Sequence, residues 1–104
     1  METALHQTTH VACLFDPLCG WCYGAGPALA RLALQPGLRL ELVPVGLFAG
    51  EYARAMDSGF AAYAWTNDQR IEQLTGQRFS QDYRSKVLQN RGQPFDSGPA
   101  TLAL

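Results

Sequence analysis

The tetrapeptide Cys19-Gly20-Trp21-Cys22 directly follows an apolar run at residues 10–15 and directly precedes an alanine- and leucine-rich stretch. The apolar run is typical of a strand buried on both faces, and the stretch after the cysteines is typical of a helix. At such a strand-to-helix junction, outward-pointing N–H groups and the helix dipole favour a thiolate at Cys19. Cys22 lies one helical turn further on, close enough to form a disulfide. The spacing therefore predicts a redox-active dithiol.

The residues that follow the dithiol predict the remainder of a βαβ unit. Two glycines and Pro27 come first, and we expect a kink there because proline removes a helical hydrogen bond. A Gln-Pro-Gly sequence at 35–37 ends the helix, and alternating apolar and polar residues at 38–43 predict a second strand. Pro44 indicates an edge strand. A strand–helix–strand unit of this kind is parallel and right-handed.

The second half of the chain predicts helices and no further strand. The expected elements are a short helix over 51–57, a helix that Asn67 caps and Gly76 ends, a helix that Ser80 caps, and a last helix that opens at 96–99. Two strands are too few for a stable sheet. We therefore predict an α/β fold with an incomplete sheet, in which residues 1–50 form a βαβ half and residues 51–104 begin a helical domain.

The composition excludes several classes of function. The chain has 104 residues, enough for one domain at most, and is 47% hydrophobic and 16% charged, as in globular proteins. Eight basic residues stand against nine acidic ones without a basic stripe, so no nucleic-acid partner is expected. No apolar run could cross a membrane, and the N-terminus lacks the basic and apolar regions of a secretory signal. Three cysteines without such a signal predict a cytoplasmic protein.

Residues 15–24, FDPLCGWCYG, resemble the active-site segment of the DsbA-like thioredoxin-fold oxidoreductases, especially their cytosolic FrnE-like branch. The similarity covers about residues 10–104, with further matches at GLFAG (46–50), DQRI (68–71), LTGQ (74–77) and DSGPA (96–100). The resemblance implies a thioredoxin-like fold that carries an inserted helical domain. Such proteins return to the sheet with a cis-proline loop and two further strands. Only five residues follow Pro99, so we expect a chain truncated to the N-terminal half.

Thiol–disulfide exchange is the function that these residues predict. Cys19 would attack a substrate disulfide, and Cys22 would resolve the mixed disulfide. Gly20 and Trp21 would set the stability of the Cys19 thiolate, and Trp21 would add apolar surface beside it. Pro27 would kink the active-site helix, as a proline does in thioredoxins. Oxidation, reduction and isomerisation of substrates all remain open.

Several nearby residues have two interpretations. Asp16 either assists proton transfer from the second cysteine or forms the turn before Pro17. Tyr23, Phe48 and Tyr52 either line a substrate groove or pack the helical part against the sheet. The expected partners are protein or small-molecule thiols and disulfides, with electrons from another dithiol system or from glutathione. No organic cofactor is implied.

Three alternatives to an oxidoreductase remain open. Cys19 and Cys22 supply half of a tetrahedral zinc site, which His6 and His10 would complete in a helix, or which a second copy would complete in a homodimer. The chain could instead be an inactive fragment that completes its sheet with a partner. Glutathione transferases of the kappa kind share the fold, but they usually lack the cysteine pair that is intact here.

Overall fold

A computed structural model of the chain describes residues 8–103. The elements in the first half are β1 (Thr9–Phe15), α1 (Gly20–Gly24), α2 (Gly26–Ala33) and β2 (Leu38–Pro44). A 3-10 turn at Gly50–Tyr52 follows, and then α3 (Ser58–Thr75), α4 (Gln81–Tyr83), a π-helical turn at Arg84–Leu88, and α5 (Gly98–Leu102). The fold is α/β, and its sheet has two strands within the described range. The division between residues 1–50 and 51–104 stays a prediction.

The βαβ unit forms as predicted. β1 and β2 are parallel, with a register that runs from Thr9 opposite Leu38 to Phe15 opposite Pro44. The helix between them breaks at Ala25, which is the C-terminal cap of α1 and the N-terminal cap of α2. Pro27 lies in the first turn of α2, where its missing N–H leaves no hydrogen bond unmade. The predicted kink is thus confirmed.

The sheet is less covered than the apolar character of β1 predicts. Burial on both faces is wrong for this strand, because half-buried and exposed residues alternate along it and Leu14 is 66% exposed. The reason is tertiary: within residues 8–103, α2 is the helix with substantial contacts to the sheet. An apolar run indicates that a strand can be buried, but it does not supply the layer that buries it.

The long helix α3 starts earlier than predicted. Asp57, and not Asn67, is its N-terminal cap, because the Asp57 carboxylate accepts a hydrogen bond from the Phe60 N–H at 2.7 Å. Its end is as predicted: Gly76 adopts a left-handed conformation with φ of 78°, which glycine reaches without strain. Ser80 caps α4 as expected, accepting a hydrogen bond from the Tyr83 N–H at 3.1 Å.

The predicted helix over 51–57 is wrong. Only the 3-10 turn forms there, and the chain then pairs with a distant segment through an antiparallel bridge between Arg54 and Phe95. The guanidinium of Arg54 also lies 4.2 Å from the ring centre of Phe60. These contacts, which join residues far apart in sequence, outweigh a weak local helix preference.

The hydrophobic core lies in the helical half. Its buried members are Met56, Ala61, Leu88 and Phe95, and Leu18 and Phe48 from the first half pack against them. The short helix α1 packs on α3. The dithiol segment is therefore held against the helical half. Among the described residues, no helix has the length and apolar character needed to cross a membrane.

Candidate active site

The two cysteines lie at the start of α1, as predicted. Cys19 is the N-terminal cap of α1, and its N–H donates to the carbonyl oxygen of Asp16 at 3.0 Å. Cys22 lies in the same helix, and its thiol is close enough to Cys19 to raise the pKa of the Cys19 thiol. Both are half-buried free thiols. The geometry suits disulfide closure, while the roles of attacking and resolving thiol stay predictions.

Burial raises the pKa of the Cys19 thiol above its ordinary value, and the adjacent Cys22 thiol raises it further. The backbone N–H groups of Cys22 and Trp21 lower this pKa, as expected at a helix start, but they do not outweigh burial. The expectation of a favoured thiolate is therefore wrong in its net direction.

Asp16 fixes the loop that leads to Cys19. The carboxylate is buried, with 1% of the residue exposed, and its Oδ1 accepts a hydrogen bond from the Leu18 N–H at 2.8 Å. Its Oδ2 accepts from the Phe48 N–H at 3.1 Å and from the Ser97 hydroxyl at 2.6 Å. These bonds join the loop before α1 to the loop after β2 and to the start of α5. Both carboxylate oxygens are engaged in positioning, and the proton-transfer role stays a prediction.

Gly20 and Gly24 allow α1 to lie close to α3. A Cβ atom at Gly20 would lie 2.6 Å from Oδ1 of Asp68, and one at Gly24 would lie 2.7 Å from Cγ2 of Ile71. Ile71 is fully buried and cannot move aside into solvent. The glycine between the cysteines therefore has a packing role that the sequence did not indicate, because it depends on residues about 50 positions away.

We expect Gly24→Ala to lower the free energy of unfolding by about 1–3 kcal/mol, because the new methyl group overlaps buried side chains. Gly26→Ala is the matched control: its Cβ would meet only the Gln77 Nε2 atom, at an ordinary 3.5 Å. The control should be neutral or up to about 1 kcal/mol more stable, because alanine is the better helix former. Urea denaturation of the two variants measures the difference. Equal stabilities would contradict the close packing of α1 on α3.

The other residues that the sequence singled out lie in different environments. Trp21 is 47% exposed beside the dithiol. Phe48 belongs to the core, where its ring meets Phe95 edge to face with centres 4.9 Å apart, so packing accounts for it. Tyr52 is exposed on the 3-10 turn. Among Tyr23, Phe48 and Tyr52, only Tyr23 lines a cavity next to the cysteines.

This cavity, of about 300 Å³, opens beside Cys19. One wall consists of residues 17–20 and Tyr23, and the other consists of residues 78–80 and Tyr83. Tyr23 joins the two walls, because its hydroxyl donates to the carbonyl oxygen of Arg78 at 2.6 Å and its ring packs edge-on against Phe79 at 4.9 Å. Arg78 and Phe79 were not identified from the sequence.

Asp68 and Tyr83 form a hydrogen-bonded pair at the second wall of the cavity. The sequence did not indicate this pair. The Tyr83 hydroxyl donates to Oδ2 of Asp68 at 2.8 Å, and Asp68 is only 4% exposed. Burial raises the pKa of Asp68, which the bond from Tyr83 partly offsets, and burial together with Asp68 raises the pKa of Tyr83. The sequence contains one indication that Asp68 is buried: it shares a helix face with the apolar residues Ala61 and Ile71, which are buried.

The helical histidine pair that the zinc alternative required does not form. His10 lies in β1, and His6 lies outside the described residues. Within residues 8–103, no three His, Cys, Asp or Glu side chains are grouped so that they could hold a metal ion.

The chain is similar to a solved disulfide reductase. No protein-family model matches it, and no curated protein matches it. It superposes on the cytosolic disulfide reductase DsbM from Pseudomonas aeruginosa with a TM-score of 0.74 and 40% sequence identity over 90% of this chain. For the structure of DsbM with GSH the values are 0.76, 39% and 90%. The chain spans 43% and 44% of the lengths of those two chains, less than half of each.

Proposed function

Because the chain belongs to the DsbA-like thioredoxin-fold oxidoreductases, we propose that it performs thiol–disulfide exchange with Cys19 as the attacking and Cys22 as the resolving thiol. One observation carries the proposal: two neighbouring free thiols lie at the start of a helix in a chain 40% identical to a disulfide reductase. The backbone N–H groups that reach Cys19 support its role as the attacking group.

The exchange takes place in two steps. Cys19 loses its proton, and its thiolate attacks one sulfur of a substrate disulfide, forming a mixed disulfide and releasing the other sulfur as a thiolate. The Cys22 thiolate then attacks the Cys19 sulfur, which releases the second substrate sulfur and leaves a disulfide between the two cysteines. The substrate has gained two electrons and the chain has lost two. Because the Cys19 pKa is raised, the first step becomes faster as the pH rises.

A thiol must then return the two electrons, and glutathione is the candidate that the comparisons support. Two glutathione molecules reduce one disulfide and become oxidised glutathione. DsbM is a cytosolic reductase with a structure that contains GSH. We therefore propose that this chain acts as a reductase in the cytoplasm, on protein or small-molecule disulfides. No organic cofactor is needed for this chemistry.

A redox titration of the full chain in glutathione buffers tests the proposal. Alkylation followed by intact mass measurement counts the free thiols at each ratio of reduced to oxidised glutathione. We expect a reversible disulfide between Cys19 and Cys22 with a midpoint between about −270 and −120 mV, the range of known dithiol oxidoreductases. Cysteines that never pair would contradict the proposal, and a tightly bound metal ion found by native mass measurement would favour the zinc alternative.

A second candidate function is assembly with a partner that completes the sheet, either a second copy or a polypeptide equivalent to the remainder of DsbM. Two observations favour it. Within the described residues each of the two strands is paired along one edge only, so the other edge can accept a further strand, and the exposed Leu14 and Leu42 side chains leave apolar surface for a partner to cover. Sedimentation velocity tests it. A single monomeric species at all concentrations, without a partner added, would exclude the homodimer.

A further inference from the structure

One edge of β2 is free within residues 8–103, where the strand pairs with β1 alone. The Gly37 carbonyl, just before β2, accepts a hydrogen bond from the Thr9 N–H at 2.7 Å. The Val45 N–H, just after β2, donates to the Phe15 carbonyl at 2.9 Å. Successive residues of a strand direct their backbone groups to opposite edges, so the odd-numbered residues of β2 bond to β1. Its even-numbered residues therefore present their backbone groups to the free edge.

The sequence of this strand is nearly symmetrical about Leu40. The stretch at residues 36–44 reads PGLRLELVP. Moving outward from Leu40, the positions on its two sides hold opposite charges, then leucines, then glycine and valine, and finally prolines. A second copy of β2 that runs antiparallel, with the two Leu40 residues opposite each other, therefore meets complementary residues. An interface between identical chains about a twofold axis requires such self-complementarity.

This register also suits the backbone groups at the free edge. Leu40 lies opposite its counterpart in the second copy, and Leu38 lies opposite the counterpart of Leu42. All three are even-numbered, so each of these pairs can exchange two hydrogen bonds, about six in total. The prolines at 36 and 44 have no N–H group, and the ladder ends at both of them.

The charges on β2 favour a second copy as the occupant of this edge. In the same register Arg39 lies opposite the counterpart of Glu41, at a position without hydrogen bonds, where side chains come closest. Both side chains are exposed. The salt bridge found among residues 8–103 is between Lys86 and Asp82, so neither charge on β2 is paired within that range. β1 has no acidic residue, and its free edge lacks this complementarity.

We propose that two copies of the chain associate through the free edges of β2, forming one sheet with the strand order β1-β2-β2-β1 and a twofold axis at Leu40. The inference rests on the second candidate function, assembly through the sheet, and it assigns both the partner and the edge. Leu42, which is 56% exposed in the single chain, then lies beside the counterpart of Leu38. The arginine and glutamate side chains form two ion pairs on the opposite face.

Sedimentation velocity of the full chain at low salt, from micromolar to millimolar concentration, tests the proposal. We expect a reversible equilibrium between monomer and dimer. Arg39→Glu and Glu41→Arg each place like charges at both paired positions, and each should raise the dissociation constant of the dimer by about tenfold or more. Arg70→Glu is the matched control, because it makes the same charge change at an exposed position on α3 and should leave the dissociation constant unchanged.

Charge exchange connects the effect to the antiparallel register. When the Arg39→Glu chain is mixed with the Glu41→Arg chain, opposite charges meet again at both positions, and a heterodimer should form. The double variant, with both substitutions in one chain, should regain the homodimer and has the net charge of the original chain. A variant that had merely lost its fold could not be rescued in either way, and circular dichroism of each variant verifies the fold.

Three outcomes would overturn the inference. A monomer at every concentration would remove the homodimer altogether. A dimer that responds to the substitutions at 39 and 41 no more than to Arg70→Glu would leave assembly intact but place it on another surface. Failure of both the mixture and the double variant to dimerise would contradict the register. The substitutions leave Cys19 and Cys22 in place, so the redox titration reports on disulfide exchange independently of these results.

Discussion

Replacing Cys19 with serine is expected to lower the rate of disulfide exchange by at least about 1,000-fold. A serine hydroxyl is not ionised near neutral pH and forms no disulfide, so neither the mixed disulfide nor the internal one can arise. Reduction of a chromogenic disulfide in the presence of glutathione measures the loss. The effect should be the largest of any single substitution, because Cys19 is the residue from which both bonds of the cycle are made.

The matched variant Cys22→Ser separates the two roles. It should retain the first step and stop at a mixed disulfide on Cys19, which appears as a stable mass increase that reducing agent removes. Cys13→Ser is the control, because Cys13 lies on β1 and takes no part in the proposed cycle. Exchange that continues in Cys19→Ser, or a trapped adduct found on Cys22 in the unsubstituted chain, would show that the roles are assigned wrongly.

Asp16→Ala is expected to lower the free energy of unfolding by about 3 kcal/mol. The substitution leaves the N–H groups of Leu18 and Phe48 and the hydroxyl of Ser97 without the acceptor that they share. Buried donors without a partner pay the full cost of leaving water, and three of them meet at this carboxylate. Urea denaturation followed by circular dichroism measures the change.

Two further variants show whether the hydrogen bonds are the cause. Asp16→Asn keeps one carbonyl oxygen but replaces the other acceptor with an NH₂ donor, so we expect an intermediate loss. Asp82→Ala is the surface control: its carboxylate only approaches Lys86 at 3.8 Å, with both side chains highly exposed, and the change should be within about 0.5 kcal/mol. A loss at Asp16 no greater than at Asp82 would contradict the anchoring role.

Features that depend on a few neighbouring residues could be predicted from the sequence. The βαβ order, the break near Pro27 and the caps at Ser80 and Gly76 each follow from residues within one or two turns of the feature. The position of Cys19 at the start of α1 follows in the same way. In these places the local conformational preference and the tertiary structure agree, so the local pattern was sufficient.

The features that could not be predicted depend on contacts between distant segments. The apolar pattern of β1 contained no information about how few elements would cover it. The bond between Asp68 and Tyr83 and the contact of Gly20 with α3 join separate helices. The raised pKa of Cys19 likewise results from the depth at which the folded chain buries it, and not from its place at a helix start. Such effects appear only when the packing is known.

The hydrogen bond between Asp16 and Ser97 also has a consequence for the order in which the chain acquires its structure. The two residues are 81 positions apart in sequence, so the bond closes a loop that includes most of the chain. Closing a loop of this length costs more conformational entropy than forming a local turn, and contacts of this kind tend to form late. During synthesis the dithiol leaves the ribosome long before Ser97 does. A nascent chain therefore displays its cysteines on a loop that lacks one of its three anchoring hydrogen bonds, and the set is complete only after Ser97 has docked.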